Sequence, residues 1–224
     1  MQLADGVYAF PQTVEQDGVE NTIYPAAVET AKGVLLIDVG YEGTHGQVES
    51  NLEEAGFEPA DVRSVLLTHQ DGDHAGGLEA VVDRTDAIVY AHERCVPYVD
   101  GREHPIKSPA GERYPPVDVD VELVDGVAFR TAAGPMEVAY TPGHAPGHLA
   151  LYLPEAELLL AADALTADDE GLAAPSEQYT PEMGKALDSA ERLAEYDIDR
   201  ILCYHGGVVD ADGDRIREVV AAAR

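Results

Sequence analysis

Short apolar runs of strand length alternate with turn-rich polar segments along most of the chain. Residues 7–10, 23–29 and 34–39 are β-rich and separated by Gly, Pro and Asp turn signals. The last of these runs is a buried strand that ends in Asp38 and Gly40. Thr44 then stands as the cap of a helix reaching Ala55, stopped at Gly56. Residues 64–68 form the next strand, 74–83 a helix and 87–91 another buried strand. The first half therefore runs as a β-meander followed by β-α-β-α. Between 97 and 120 the pattern breaks. Pro97, Pro105, Pro109, Pro115 and Pro116, with Gly101 and Gly111, argue against a helix or central strand there. This stretch reads as an excursion near the mouth of a site. The second half repeats the theme, with strands at 127–131, 136–141, 148–153, 157–161 and 200–204. Helices follow at 181–196, with Thr180 as cap and Glu182 in the first turn, and at 213–223. Strands followed by helices in both halves predict an α/β fold: two sheets face to face with helices outside, in one domain spanning 1–224.

Composition adds one outlier. The chain has 224 residues, 45% of them apolar, enough for a substantial core. Yet 43 Asp and Glu face only 14 Lys and Arg, for a net charge of -29. Lys32, Lys107 and Lys185 are the only lysines. Acid is spread along the chain and the strand patterns are dense, which argues against disorder. The expectation is a folded protein with an acidic, well-hydrated surface of the halophilic kind, as in organisms with molar intracellular salt. Such a charge weighs against nucleic-acid and anionic-membrane partners. At molar salt the Debye length falls to about 3 Å, so it says little about the charge of a substrate. Cys95 and Cys203 form no CxxC pair, which suits a reducing cytosol. Cys203 reads as a small buried strand residue rather than a metal-proximal thiol. The first residues lack a basic, apolar leader pattern, and the most apolar run, 158–165, is interrupted by Asp163 and too short to span a bilayer. A cytoplasmic protein acting on a small-molecule substrate is expected. The sequence leaves its oligomeric state open.

The chemistry lies in seven residues. Four fall within six positions: His69, Asp71, Asp73 and His74, in Leu67-Thr-His-Gln-Asp-Gly-Asp-His-Ala-Gly-Gly77. The others are His144 in Thr141-Pro-Gly-His-Ala-Pro-Gly-His148, Asp163 in Leu160-Ala-Ala-Asp163, and His205 in Cys203-Tyr-His-Gly-Gly207. Imidazoles and carboxylates bind borderline and hard divalent metals. Each cluster follows an apolar run, which places all seven at strand ends, where α/β folds build sites. His69 and Asp71 point alike if the backbone stays extended, while Asp73 and His74, past Gly72, turn toward a second ion. Asp163 closes a fully apolar strand, where a carboxylate calls for a cation. His148 reads as an eighth ligand or, more strongly, as a group behind the ligands that orients the loop, and Asp38 as a similar supporting or structural group. His45, His92 and His104 read as surface or loop residues. Tyr179 and Tyr204 are candidate hydrogen-bond donors to the reacting oxygen, with packing the stronger reading for both.

Taken together, these motifs resemble the metallo-β-lactamase superfamily across nearly the whole chain: Asp38 after a strand, the Thr-His-x-x-x-Asp-His run, the Pro-Gly-His loop, Asp163 after an apolar strand, and the late His205. The resemblance implies a four-layer αββα sandwich with a dinuclear site at one edge. His69, Asp71 and His144 would hold one metal, Asp73, His74 and His205 the other, and Asp163 would bridge them. Asp71 stands where the family usually has the second His of His-x-His-x-Asp-His. A carboxylate is a competent but harder ligand, so zinc comes first while iron and manganese gain weight. The motifs are also glyoxalase II-like, but no helical substrate domain follows His205, so glutathione thioester binding of that kind is not expected. Flavodoxin and nuclease additions are likewise missing. The leading expectation is a metal-dependent hydrolase in which two metals share and acidify a water, and the hydroxide attacks a carboxylic ester, thioester or lactone, with Asp73 orienting it. No Ser or Cys nucleophile is needed. Asp71 motivates a diiron redox protein as the second reading, and a non-enzymatic metal-binding domain is the third.

Overall fold

A computed structural model describes residues 1–16, 18–108 and 111–224. Its strands, in chain order, are β1 (Gln2–Ala4), β2 (Val7–Ala9), β3 (Gln12–Gln16), β4 (Val19–Ile23), β5 (Ala26–Thr30), β6 (Gly33–Ile37), β7 (Val62–Leu67), β8 (Ile88–His92), β9 (Val121–Leu123), β10 (Ala128–Thr131), β11 (Gly134–Tyr140), β12 (Leu149–Leu153), β13 (Leu158–Ala162), β14 (Thr166–Asp168), β15 (Gly171–Ala173), β16 (Arg200–Cys203) and β17 (Gly207–Asp210). The helices are α1 (His45–Ala55), α2 (Gly72–Ala75), α3 (Leu78–Thr85), α4 (Val96–Val99), α5 (Met183–Leu193) and α6 (Gly213–Ala222). One sheet has the order β1-β2-β5-β6-β7-β8-β9 and the other β10-β11-β12-β13-β16-β17. β3 and β4 pair as a separate hairpin that the apolar pattern did not announce.

Side-chain alternation builds the layers. In β12, Leu149, Leu151 and Leu153 face the other sheet, while Ala150 and Tyr152 face α5 and α6. In β6, Leu35 and Ile37 face the second sheet, while Val34 and Leu36 pack with Val48 and Leu52 of α1 and Leu78 and Val81 of α3. Strands buried on both faces read as unbroken apolar runs, which is how 34–37 and 158–162 look in the sequence. Three apolar layers therefore lie between four structural ones, helices–sheet–sheet–helices, in the expected αββα sandwich.

Register puts the chemistry at one edge. β6 and β7 run parallel with Ile37 opposite Leu66, so Asp38 and Thr68-His69 leave the sheet side by side. β13 and β16 run parallel with Ala162 opposite Cys203, so Asp163 and His205 do the same in the other sheet. β11 and β12 are antiparallel with Tyr140 opposite Leu149, and residues 141–148 turn at that edge. The Leu149 amide donates to the Thr68 carbonyl, joining the two sheets at this point.

Local boundaries differ from the sequence reading in two helices. The 74–83 helix is broken into α2 and α3 by Gly76 and Gly77, where a Cβ would overlap the Gly72 carbonyl oxygen or crowd that of Val39. α5 starts after Glu182, and Thr180 does not cap it. Thr44 does precede α1, and Gly56 ends it in the left-handed conformation, but the Thr44 hydroxyl bonds Gln12 and the Tyr41 carbonyl instead of the helix amides. Among the described residues no helix is long and apolar enough to cross a membrane.

Leu151 is fully buried between the sheets. Leu151→Ala is expected to cost about 2–5 kcal/mol, read from the urea unfolding midpoint. A loss below about 1 kcal/mol would mean the inter-sheet layer is not the packed core described above.

Candidate metal centre

The site is built outward from Asp38. This residue takes the left-handed conformation (φ 59°) as it leaves β6, one that Asp tolerates better than most side chains. Its carboxylate accepts from the Thr68 amide (2.8 Å), the Thr68 hydroxyl (2.7 Å) and His74 Nδ1 (2.8 Å). The last bond orients the His74 ring and turns its Nε2 toward the centre. The Tyr204 ring stacks on His74 with centroids 3.6 Å apart, and its hydroxyl donates to the Asp73 carbonyl at 2.5 Å. Tyr204 is thus a packing and positioning group.

All seven sequence-predicted ligand residues converge on this point. His69 Nε2 and His144 Nε2 each lie 3.2 Å from Asp71 Oδ2. His205 Nε2 lies 3.1 Å from Asp73 Oδ2, and His74 Nε2 lies 3.7 Å from it. Asp163 stands between the two groups, 3.2 Å from His144, 3.4 Å from His74 and 3.4 Å from His205. Donor atoms of His69, Asp71 and His144, of His69, His74 and Asp163, and of Asp73, His74 and His205 each fall within 4.8 Å of one another. His69 Nε2, His74 Nε2 and Asp163 Oδ1 are buried and have no hydrogen-bond partner. Lone pairs left bare at this depth are costly unless a cation takes them. The residues therefore fit a divalent metal.

Two glycines let the backbone come close enough. Gly143, before His144, has φ 134°, and a Cβ there would overlap the Ala186 nitrogen. Gly206, after His205, has φ 102°, and a Cβ would overlap the Ala167 carbonyl oxygen. No L side chain other than hydrogen fits either position without moving backbone.

Charges in the cluster separate sharply. Burial, reinforced by His74, brings His69 down to about 4, so it is a neutral imidazole. Burial opposes charge on His205 too, but Asp163 and Asp73 outweigh it and raise it to about 10. His74 is likewise held well above its ordinary value, because Asp38, Asp163 and Asp73 overcome its burial. Burial would push Asp71 and Asp163 up, yet the surrounding imidazoles hold both well below the usual carboxylate range, aided for Asp71 by Lys107. The centre is a set of ionised carboxylates held among His74, His205 and Lys107.

Supporting residues fill the next positions. His148 is fully buried; its Nε2 accepts from the Asp163 amide at 3.0 Å and its Nδ1 donates to the Thr141 hydroxyl at 2.8 Å. Burial and neighbouring His69 keep it neutral. Thr180, read from sequence as a helix cap, instead accepts from His144 Nδ1 at 3.2 Å. His92 is not a surface residue: it is buried at the end of β8 and stacks on Tyr140 at 4.3 Å. His45 is not a loop residue but opens α1 and is half-buried, while His104 is exposed, as expected. Tyr179 is exposed. Cys203 is buried and its thiol pushed up by burial, in keeping with a packing role. Sequence reasoning missed three neighbours. Tyr41 is half-buried, and burial with nearby Asp73 and Asp163 pushes its hydroxyl up to about 12, so it keeps its proton. Tyr114 donates to the Gln70 carbonyl at 2.7 Å, bringing the 97–120 excursion against the metal motif. Lys107, on the same excursion, reaches the centre itself; its rarity in so acidic a chain was the one available signal.

Comparison with known proteins agrees with this geometry. The sequence model of the metallo-beta-lactamase superfamily matches residues 24–205. The protein named "Probable metallo-hydrolase YflN" of Bacillus subtilis (strain 168) is 28% identical over 198 residues, covering 77% of this chain and 75% of that one. N-acyl homoserine lactonase AiiA of Bacillus thuringiensis subsp. kurstaki is 28% identical over 207 residues, covering 75% and 73%. A metallo-beta-lactamase family protein of Thermus thermophilus superposes with a TM-score of 0.79 at 28% identity, over 99% of this chain and 80% of that one. The matched span opens ahead of Asp38 and closes on His205, taking in every residue gathered at the sheet edge, and the chain belongs to the metallo-β-lactamase superfamily as a metallo-hydrolase.

Proposed function

We propose that this hydrolase cleaves a carboxylic ester, thioester or lactone at the edge cluster. The observation that carries the reading is the set of buried donor atoms without hydrogen-bond partners, His69 Nε2, His74 Nε2 and Asp163 Oδ1, close together among ionised carboxylates. His69, Asp71 and His144 would offer one ion position and Asp73, His74 and His205 a second, with Asp163, 3.2–3.4 Å from His144, His74 and His205, placed to serve either. Zinc is the first candidate for this mixed nitrogen and oxygen donor set, with iron or manganese as alternatives. When bound, such an ion supplies Lewis acidity and acidifies water from 15.7 toward about 7.

The chain's own residues supply the rest. Asp73 is ionised and only 19% exposed at its side chain, so it can accept a hydrogen bond from the attacking water and aim its oxygen at the carbonyl carbon. Asp38 and Thr180 keep the Nε2 lone pairs of His74 and His144 turned inward. His205, the most exposed imidazole of the cluster at 40%, marks the open side from which substrate enters. No side-chain nucleophile of the Ser or Cys type stands in the cluster among the described residues, so a water-mediated attack suits it. The lactonase among the relatives supports a lactone as the first bond to test.

Metal-loaded protein is expected to hydrolyse at least one member of a panel of chromogenic esters, thioesters and lactones, and to lose that activity on chelation. Asp163→Asn should lower metal content and turnover together, each by at least about 10²-fold; unchanged metal stoichiometry with unchanged turnover would remove Asp163 from the centre. Asp38→Ala leaves His74 and Thr68 without their buried acceptor. It should cost about 3–5 kcal/mol of stability in the metal-free protein and about 10–100-fold in metal affinity. Chemical denaturation and metal titration check the two effects separately.

A further inference from the structure

We propose that Lys107 is the built-in cation of the first ion position, so that the chain takes up a single divalent metal, in the half formed by Asp73, His74, His205 and Asp163. This rests on the reading of the cluster as a metal centre. Lys107 Nζ donates to Asp71 Oδ2 at 2.5 Å and to His144 Nε2 at 2.6 Å. Those two atoms are the same lone-pair donors that an ion in the first position would use. An ammonium has donors and no acceptor, so His144 must present its bare Nε2 to it. That tautomer places the proton on Nδ1, where Thr180 accepts it at 3.2 Å. The geometry that suits a metal thus already serves the lysine, and the two cations exclude each other.

Lys107 is not a stray surface side chain. Its own side chain is only 19% exposed. The excursion that carries it is tied down on both sides. Val117 donates to the Val99 carbonyl at 3.1 Å, and Arg113 donates to the carbonyls of Tyr98 and Glu103 at 3.0 and 3.2 Å. Tyr114, 5% exposed, bonds the Gln70 carbonyl, one residue from Asp71. Among the described residues no other lysine or arginine pairs with a carboxylate of the centre.

Charge balance points the same way. Asp71, Asp73 and Asp163 carry three negative charges among imidazoles that are neutral once they act as ligands. One dication and one ammonium match them. Two dications and an ammonium would overshoot, with Lys107 pressed against an ion. Hydrogen-bond partners are lacking for His69 Nε2 in the first half and for His74 Nε2 and Asp163 Oδ1 in the second, but among the described residues only the first half holds an ammonium. With two of its three N–H groups committed, Lys107 keeps the third for a substrate oxygen beside the metal, where it would stabilise developing negative charge.

The test is metal stoichiometry, independent of turnover. Metal-free wild type, Lys107→Met and Lys107→Arg are dialysed against zinc chloride, analysed for bound zinc, and titrated calorimetrically. Wild type and Lys107→Arg should bind one zinc per chain. Lys107→Met should bind a second equivalent at least about tenfold more tightly than wild type does. Two equivalents in wild type, unchanged in Lys107→Met, would overturn the proposal while leaving the metal reading intact. One equivalent in both would also overturn it, since the ammonium would not be what keeps the second ion out. No zinc in either would remove the metal centre itself, and the proposal with it. Should Lys107→Met fail to fold, the same zinc counts are read on Lys107→Gln, which keeps a polar side chain of similar length without the charge, and two equivalents in wild type reject the assignment in either case.

Discussion

Buried negative charge is the constraint from which the rest of this structure follows. The side chains of Asp71, Asp73 and Asp163 expose only 11, 19 and 8% of their surface, yet sit within 3.7 Å of the imidazoles around them. Carboxylates in such surroundings stay ionised only if cations or hydrogen-bond donors hold them. Imidazoles alone answer this poorly, because each proton they take up competes with burial. His69 sits at about 4 while His205 sits at about 10, a division that shows where positive charge is and is not tolerated in the cluster. A metal resolves the conflict, since it brings positive charge without asking any imidazole to be protonated.

The sandwich makes this arrangement rigid before any ion arrives. Two parallel strand pairs, one per sheet, end at the same edge and project Asp38, His69, Asp163 and His205 from fixed backbone. Behind them run short relays of neutral and charged hydrogen bonds: Asp38 to His74, Thr180 to His144, and Thr141 through His148 to the Asp163 amide. Each relay sets a ring orientation or a backbone angle, so that the Nε2 atoms of His74 and His144 face the centre. Glycines at 143 and 206 serve the same end by letting the His144 and His205 loops pack directly against backbone.

Against a net charge of -29, a lysine held between Asp71 and His144 has an effect out of proportion to its single charge. It converts one half of a symmetric-looking ligand set into an ammonium site and leaves the other half for a metal. One ion and one ammonium differ in reach and in charge from a pair of ions. The stretch that delivers Lys107 also places Tyr114 against the Gln70 carbonyl, next to Asp71.

Much of this was legible in the sequence, for a physical reason. Strand periodicity, turn residues and the types of side chain at strand ends are local properties; they gave the αββα architecture, the seven clustered residues, and the supporting places of Asp38 and His148. The residues that local reasoning misplaced all depend on contacts between distant segments. Thr180 looks like a helix cap until β11 and the following turn bring His144 to it, 36 residues away in sequence. His92 looks exposed until Tyr140 stacks on it from the other sheet. Lys107 lies in a proline-rich stretch with no periodicity, and its contacts with Asp71 and His144 span 36 and 37 residues of sequence. A sequence carries the identity and spacing of its groups; which of them share a partner is settled by packing, because burial and electrostatic pairing act through space and not along the chain.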